Sequence, residues 1–129
     1  MRRYLEYARR EAETAPFYQK QKHGAVLVKG GSILNKSFNN PNFSSFMRKF
    51  TGHFEGDERA TRHAELMCIL GLERSVTRGS TIYIVRVNNH GSYRLSRPCS
   101  LCQAALKFVG VKKAVYSINN EQIGIMKLG

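Results

Sequence analysis

Thr81-Ile82-Tyr83-Ile84-Val85-Arg86-Val87 is the stretch from which the fold is read, because every residue in it except Arg86 is β-branched or aromatic. Such a run suits a pleated, packed surface and predicts a strand. Downstream, Asn88-Asn89-His90-Gly91 predicts a turn and Tyr93-Arg94-Leu95 a returning strand before Pro98. Leu101, Ala105 and Phe108 then outline a helix from Cys99 to Phe108 that ends at Gly110, and Lys113-Ala114-Val115-Tyr116-Ser117 reads as another strand. Upstream, Leu66, Ile69 and Leu70 mark a helix over residues 61–74. Gly24-Ala25-Val26-Leu27-Val28 and Ser32-Ile33-Leu34-Asn35-Lys36-Ser37-Phe38 flank Lys29-Gly30-Gly31, the pattern of a hairpin. Leu5, Ala8, Ala12 and Ala15 give an amphipathic first helix that stops near Pro16. Strands alternating with helices predict an α/β sandwich with its site at helix N-termini.

The chain has 129 residues, 42% of them hydrophobic, which suits a single domain over 1–129 with one core. Twenty-one Lys and Arg against nine Asp and Glu give a formal charge of +12, so the expected partner is anionic. The excess is even, three in each of residues 1–22, 23–62, 63–97 and 98–129, which excludes a basic tail as its source. Apolar runs such as Ala25-Val26-Leu27-Val28 fall far short of the roughly 18 residues a membrane span needs. No membrane partner is expected, and without a signal-peptide pattern after Arg2-Arg3 the expected compartment is the cytoplasm.

Three cysteines, two of them three residues apart, suit a metal or catalytic site better than a disulfide framework. Cys99 and Cys102 can turn both sulfurs to one point at the start of a helix, which is half of a zinc site. A second Cys-x-x-Cys is absent, so another ligand type is needed. His63 is the strongest candidate, because Glu65 stands two residues on at the start of a predicted helix; His23 and His90 have no carboxylate at that spacing, and His53, although followed by Phe54-Glu55, falls in the loop read over 39–62. Three protein ligands leave a fourth position for water, the arrangement of a catalytic zinc. Two thiolates offset the charge of the metal and weaken its hold on the water proton, so a carboxylate such as Glu65 that accepts and returns that proton is useful. Cys68, five positions after His63, falls on another face and reads as a buried thiol.

His63-Ala64-Glu65 together with Pro98-Cys99-Ser100-Leu101-Cys102 resembles the zinc-dependent nucleobase deaminases of the cytidine and deoxycytidylate deaminase superfamily. The resemblance runs along nearly the whole chain, since Gly24–Val28 looks like the family's first strand and Ala104–Ser117 like its third helix and fourth strand. It implies a three-layer α/β/α sandwich with a mixed central sheet. It also implies Zn²⁺ held by His63, Cys99 and Cys102, with Glu65 as the proton shuttle of a hydrolytic deamination that releases ammonia. Asn39, in Ser37-Phe38-Asn39, is similar to the family's Gly-x-Asn, whose Asn contacts the sugar, although Ser37 replaces the Gly and Asn39 also reads as a turn residue before Asn40-Pro41. Asn39, Ala64 and Arg97 are the candidate substrate contacts. Small members of the family commonly self-associate, so a homo-oligomer is compatible with the resemblance.

The substrate stays open between several members. His63-Ala64-Glu65-Leu66-Met67 resembles the transfer-RNA adenosine branch, and Ser96-Arg97-Pro98-Cys99 the polynucleotide cytidine deaminases. The interval between Glu65 and Pro98 is long, and its extra length falls at Asn88–Arg97, where arginines can approach a phosphate. Residues 39–62 read as a long loop around a short helix, and Phe43, Phe46, Phe50 and Phe54 beside Arg48 and Lys49 are either base-stacking groups or one buried helix face. About a dozen residues follow the last predicted strand, where polynucleotide-acting relatives carry further helices. The charge favours cytosine in a single-stranded nucleic acid slightly over monomeric cytidine or deoxycytidylate. Adenosine in RNA comes third, and an inactive zinc-stabilised binding module is the bland alternative.

Overall fold

The computed structural model describes residues 2–14, 22–43, 61–62, 64–69 and 71–129. The stretch 81–87 is the central strand, β5 (Thr81–Val87), and its side chains alternate between two buried faces. Ile82 and Ile84 enter one core, while Tyr83, Val85 and Val87 enter the other. A strand with no polar face must be covered on both sides, and the rest of the fold supplies the covers. Two neighbouring strands, β1 (Lys22–Lys29) and β7 (Lys113–Ser117), repeat the alternation, with Ala25, Leu27, Ala114 and Tyr116 on the first face and Val26, Val28 and Val115 on the second.

β2 (Ser32–Phe38) pairs antiparallel with β1, β1 antiparallel with β5, β5 parallel with β7, and β7 antiparallel with β8 (Ile123–Lys127). β6 (Tyr93–Arg94) adds a short antiparallel pairing to β5, which makes six strands in a mixed sheet. β3 (Asn40–Phe43) and β4 (Thr61–Arg62) form a separate two-stranded sheet. Helix α1 (Arg2–Glu13) lays Leu5, Ala8 and Ala12 on the second face. Two others, α2 (Ala64–Ile69) and α4 (Ser100–Phe108), lay Ala64, Cys68, Ile69, Leu101, Cys102, Ala105 and Leu106 on the first. The result is the three-layer α/β/α sandwich with a mixed sheet that the resemblance implied. Among the described residues no helix is long and apolar enough to cross a membrane.

Three elements differ from the sequence expectation. Asn40–Phe43, inside the loop expected over residues 39–62, pair as β3 with β4. Residues 61–74 are not one helix: Thr61 and Arg62 lie in β4, α2 covers only Ala64–Ile69, and Gly71 has a φ of 81°. A left-handed glycine ends a helix readily, and the short α3 (Arg74–Thr77) starts afresh beyond it. β8 was not anticipated, because its sequence Ile-Gly-Ile-Met-Lys carries a glycine where a strand signal would be sought. That glycine is required by packing: a Cβ on Gly124 would collide with the Tyr116 ring.

Gly24 lets α1 lie close against β1. A Cβ there would fall on the Ala8 carbonyl oxygen and the Ala12 amide nitrogen, both backbone atoms of α1. Gly24→Ala is therefore expected to force α1 off the sheet and to cost about 1–3 kcal/mol or more. A lower urea midpoint at unchanged slope would show it, and a midpoint equal to the parent's would contradict this account of the packing.

Candidate active site

The chain reaches the site through a buried hydroxyl pair at the carboxyl ends of β5 and β7. Ser96 Oγ donates to the Ile84 carbonyl at 2.9 Å and lies 2.9 Å from Ser117 Oγ, while the Ser96 amide donates to the Ser117 carbonyl at 2.9 Å. This pins the chain three residues before Cys99. Pro98 follows in a buried position, and its carbonyl accepts from Gln103 Nε2 at 2.8 Å. Gln103 thus bends back over the first turn of α4. Cys99 is the N-cap of that helix and Cys102 lies one turn further on, so the two sulfurs come within 3.5 Å.

α2 approaches from the same side of the sheet, and side chains of β2 tie both its ends. Ser37 Oγ donates to the Ala64 carbonyl at 2.5 Å, and Asn35 Nδ2 donates to the Cys68 carbonyl at 3.0 Å. Six residues are too few for a helix to persist alone, so these ties and its packing on the sheet hold it. They place Glu65, only 5% exposed, near enough to Cys102 for its charge to act on the thiol.

The Cys102 thiol is held well above its ordinary pKa, first by burial, then by the hydrogen bond with Cys99, and then by the Glu65 charge. The buried Cys102 thiol, the half-buried Cys99 thiol and the buried Glu65 carboxyl would repel each other if all ionised. A divalent cation removes that conflict, because coordination deprotonates a thiol outright. The spacing also fits: two sulfurs each about 2.3 Å from a tetrahedral zinc stand roughly 3.8 Å apart. The Cys99 and Cys102 pair thus could hold a soft or borderline metal ion.

The other site residues named from sequence have these positions. His63 lies outside the described residues, as do His53 and residues 44–60 with three of the four phenylalanines; Phe43 falls in β3. Ala64, which follows His63, is fully buried at the start of α2. Asn39 follows β2, where its Oδ1 accepts from the His23 amide at 3.0 Å and its own amide donates to the His23 carbonyl at 3.1 Å. It closes the end of the β1–β2 pair. Arg97 is exposed, two residues before Cys99. Ser37, Ser96, Gln103 and Ser117 were missed as positioning residues. Ser37 was visible as the departure from Gly-x-Asn, and here that extra hydroxyl is what holds α2.

The family profile described as the cytidine and deoxycytidylate deaminase zinc-binding region matches residues 1–118. The chain belongs to that family of deaminases. Among solved structures, the deoxycytidylate (dCMP) deaminase of cyanophage S-TIM5 in apo form is similar with a TM-score of 0.62 at 22% identity, over 91% of this chain and 81% of that one. The same enzyme in complex with dCMP and dUMP gives 0.59 at 23% identity, over 89% and 78%. A cytidine deaminase from Mycobacterium tuberculosis gives 0.58 at 22% identity, over 99% and 90%. Among curated proteins none matches the chain.

Cys68 belongs to the core. It is fully buried, with Ser37 Oγ at 3.0 Å from its sulfur, and burial pushes its pKa up to about 12. In the unfolded chain it ionises near 9.0, so its contribution to stability is complete below pH 9 and is lost as pH rises toward 12. At pH 8 a thiol held near 12 is ionised to about one part in ten thousand. Cys68 is expected to resist iodoacetamide in the native protein at pH 8 and to react after unfolding in urea, as read by peptide mass spectrometry.

Proposed function

We propose that this chain hydrolytically deaminates the cytosine of a phosphate-bearing substrate, with deoxycytidylate as the first choice. The observation that carries the reading is Glu65, buried in α2 on the side of the sheet where the Cys99 and Cys102 sulfurs lie 3.5 Å apart. His63, Cys99 and Cys102 would hold zinc, which supplies a Lewis acid that makes water nucleophilic at neutral pH. Water adds at the amino-bearing ring carbon, the C–N bond breaks, and ammonia leaves as the ring carbonyl forms. Glu65 takes a proton from that water and returns it to the departing nitrogen. Its burial shields the transfer from bulk water, and the ties of α2 to β2 keep the carboxyl in place. A module that only needed the metal for stability has no use for a buried carboxyl at this position. Asn39, Ala64 and Arg97 are assigned as substrate contacts, with exposed Arg97 nearest to solvent.

A monomeric substrate is favoured by the turn after β7, where the chain reverses at once and pairs as β8 instead of building a helical platform. The cyanophage neighbour crystallised with dCMP and dUMP supports the same choice. Cytosine in a single strand is the second reading, favoured by the formal charge of +12.

Zinc-loaded protein should be assayed for uracil products from cytidine, deoxycytidylate and a short single-stranded oligonucleotide at two salt concentrations. Deoxycytidylate is expected to turn over, and Glu65→Gln to lose a factor of about 10²–10⁴ with zinc content unchanged. Full activity of Glu65→Gln, or no ammonia from any substrate, would overturn the reading. Turnover of the oligonucleotide alone, falling steeply with salt, would put the second reading first.

A further inference from the structure

The segment between β5 and α4 is held more firmly than its asparagine and glycine content suggests. Asn88 Oδ1 accepts from the His90 amide at 2.9 Å and the Ser92 amide at 3.0 Å. Arg9 of α1 donates to the Gly91 carbonyl at 2.6 Å and lays its guanidinium 4.9 Å from the centre of the Tyr93 ring. The Tyr93 amide donates to Asn120 Oδ1 at 2.7 Å, and Ser117 Oγ donates to the Arg94 carbonyl at 2.7 Å. Ties therefore come from α1, from β7 and from the turn before β8. Among the residues this segment exposes are Arg94 and Leu95, the latter 52% exposed although apolar.

Arg94 lies directly opposite Arg86 in the β5–β6 register, so the two side chains share a face. Arg86 and Arg94 line one open cavity together with Asn88, Leu95 and Ile118, and none of these five residues is acidic. Like charges set directly across a strand pair repel, and here the backbone ties on either side of Arg94 keep it in that register. The cavity joins two cations to an apolar wall, the combination that a nucleotide presents in reverse. It is close to the candidate active site, because Arg94 precedes Cys99 by five residues and an extended chain covers at most about 3.6 Å per residue.

We propose that this cavity is a nucleotide-phosphate subsite: Arg86 and Arg94 bind the phosphate, and Leu95 and Ile118 cover the adjoining sugar or base. Its use by substrate rests on the deaminase reading, but its binding does not. The phosphate can be that of the reacting mononucleotide or one flanking the target in a strand.

The test is fluorescence anisotropy of zinc-loaded protein with a labelled oligothymidylate, which contains no cytosine, at several salt concentrations. Inorganic phosphate and deoxycytidylate serve as unlabelled competitors. Arg94→Glu is expected to weaken binding about fivefold or more and to lower the slope of log affinity against log salt by about one. Lys127→Glu, the same charge change on β8, is the control and is expected to stay within about twofold of the parent. Melting curves establish that both variants fold. Weakening of the oligonucleotide and of deoxycytidylate together assigns the subsite to a nucleotide's own phosphate, and weakening of the oligonucleotide alone assigns it to a flanking phosphate. Equal loss in both variants, no loss in Arg94→Glu, or no phosphate-dependent binding by the parent overturns the proposal. If Arg94→Glu loses binding while the parent deaminates nothing, the subsite stands and the deaminase reading falls.

Discussion

The Ser96 hydroxyl joins the sheet to the site, and most of the site's geometry depends on it. β5 and β7 are parallel neighbours, so their carboxyl ends open on the same side and leave peptide groups to be satisfied there. Ser96 meets that need by donating to Ile84 and receiving the Ser117 amide at 2.9 Å. Because the same residue stands three before Cys99, the bond that completes the strand ends also sets where α4 begins. The position of the two sulfurs is thus inherited from the sheet rather than from the loop that carries them.

Glu65 reaches the same point by a different route. Its helix is short and ends before a left-handed glycine, so its direction comes from outside, from Ser37 and Asn35 on β2. β2 is placed by β1, and β1 by β5. Both halves of the site therefore trace back to one strand, and they meet because α2 and α4 cover the same face of it. This is why a buried carboxyl and a buried thiol can be brought together at all: the apolar packing around them supplies the energy that desolvating them costs.

The sequence was legible where a residue's role is local. Alternation in Thr81–Val87, the hairpin at Lys29-Gly30-Gly31 and the three-residue spacing of Cys99 and Cys102 each state their structure within a few positions. It was less legible where a role depends on a distant partner. Ser37 reads as a departure from a pattern until Ala64, 27 residues away, is seen to need its hydroxyl. Ser96 and Ser117 are ordinary polar residues until the strands bring them 2.9 Å apart across 21 positions. Gly124 argued against a strand locally, and Tyr116 across the ladder explains it. The helix expected over 61–74 failed for a local reason that was overlooked, since Gly71 stood in the sequence within the apolar period.

The charge is distributed on the same plan. An even excess along the chain says nothing of where cations gather, because gathering is a property of register. Arg86 and Arg94 are eight positions apart in sequence and become direct neighbours only because β6 returns along β5. That return is held by Arg9 of α1, Ser117 of β7 and Asn120 in the turn before β8. A single charged side chain on a mobile loop loses much of its attraction for an anion to the entropy of ordering both. Fixing the backbone beforehand lowers that cost. The ties around Arg94 thus do for a bound phosphate what Ser96 does for the two sulfurs.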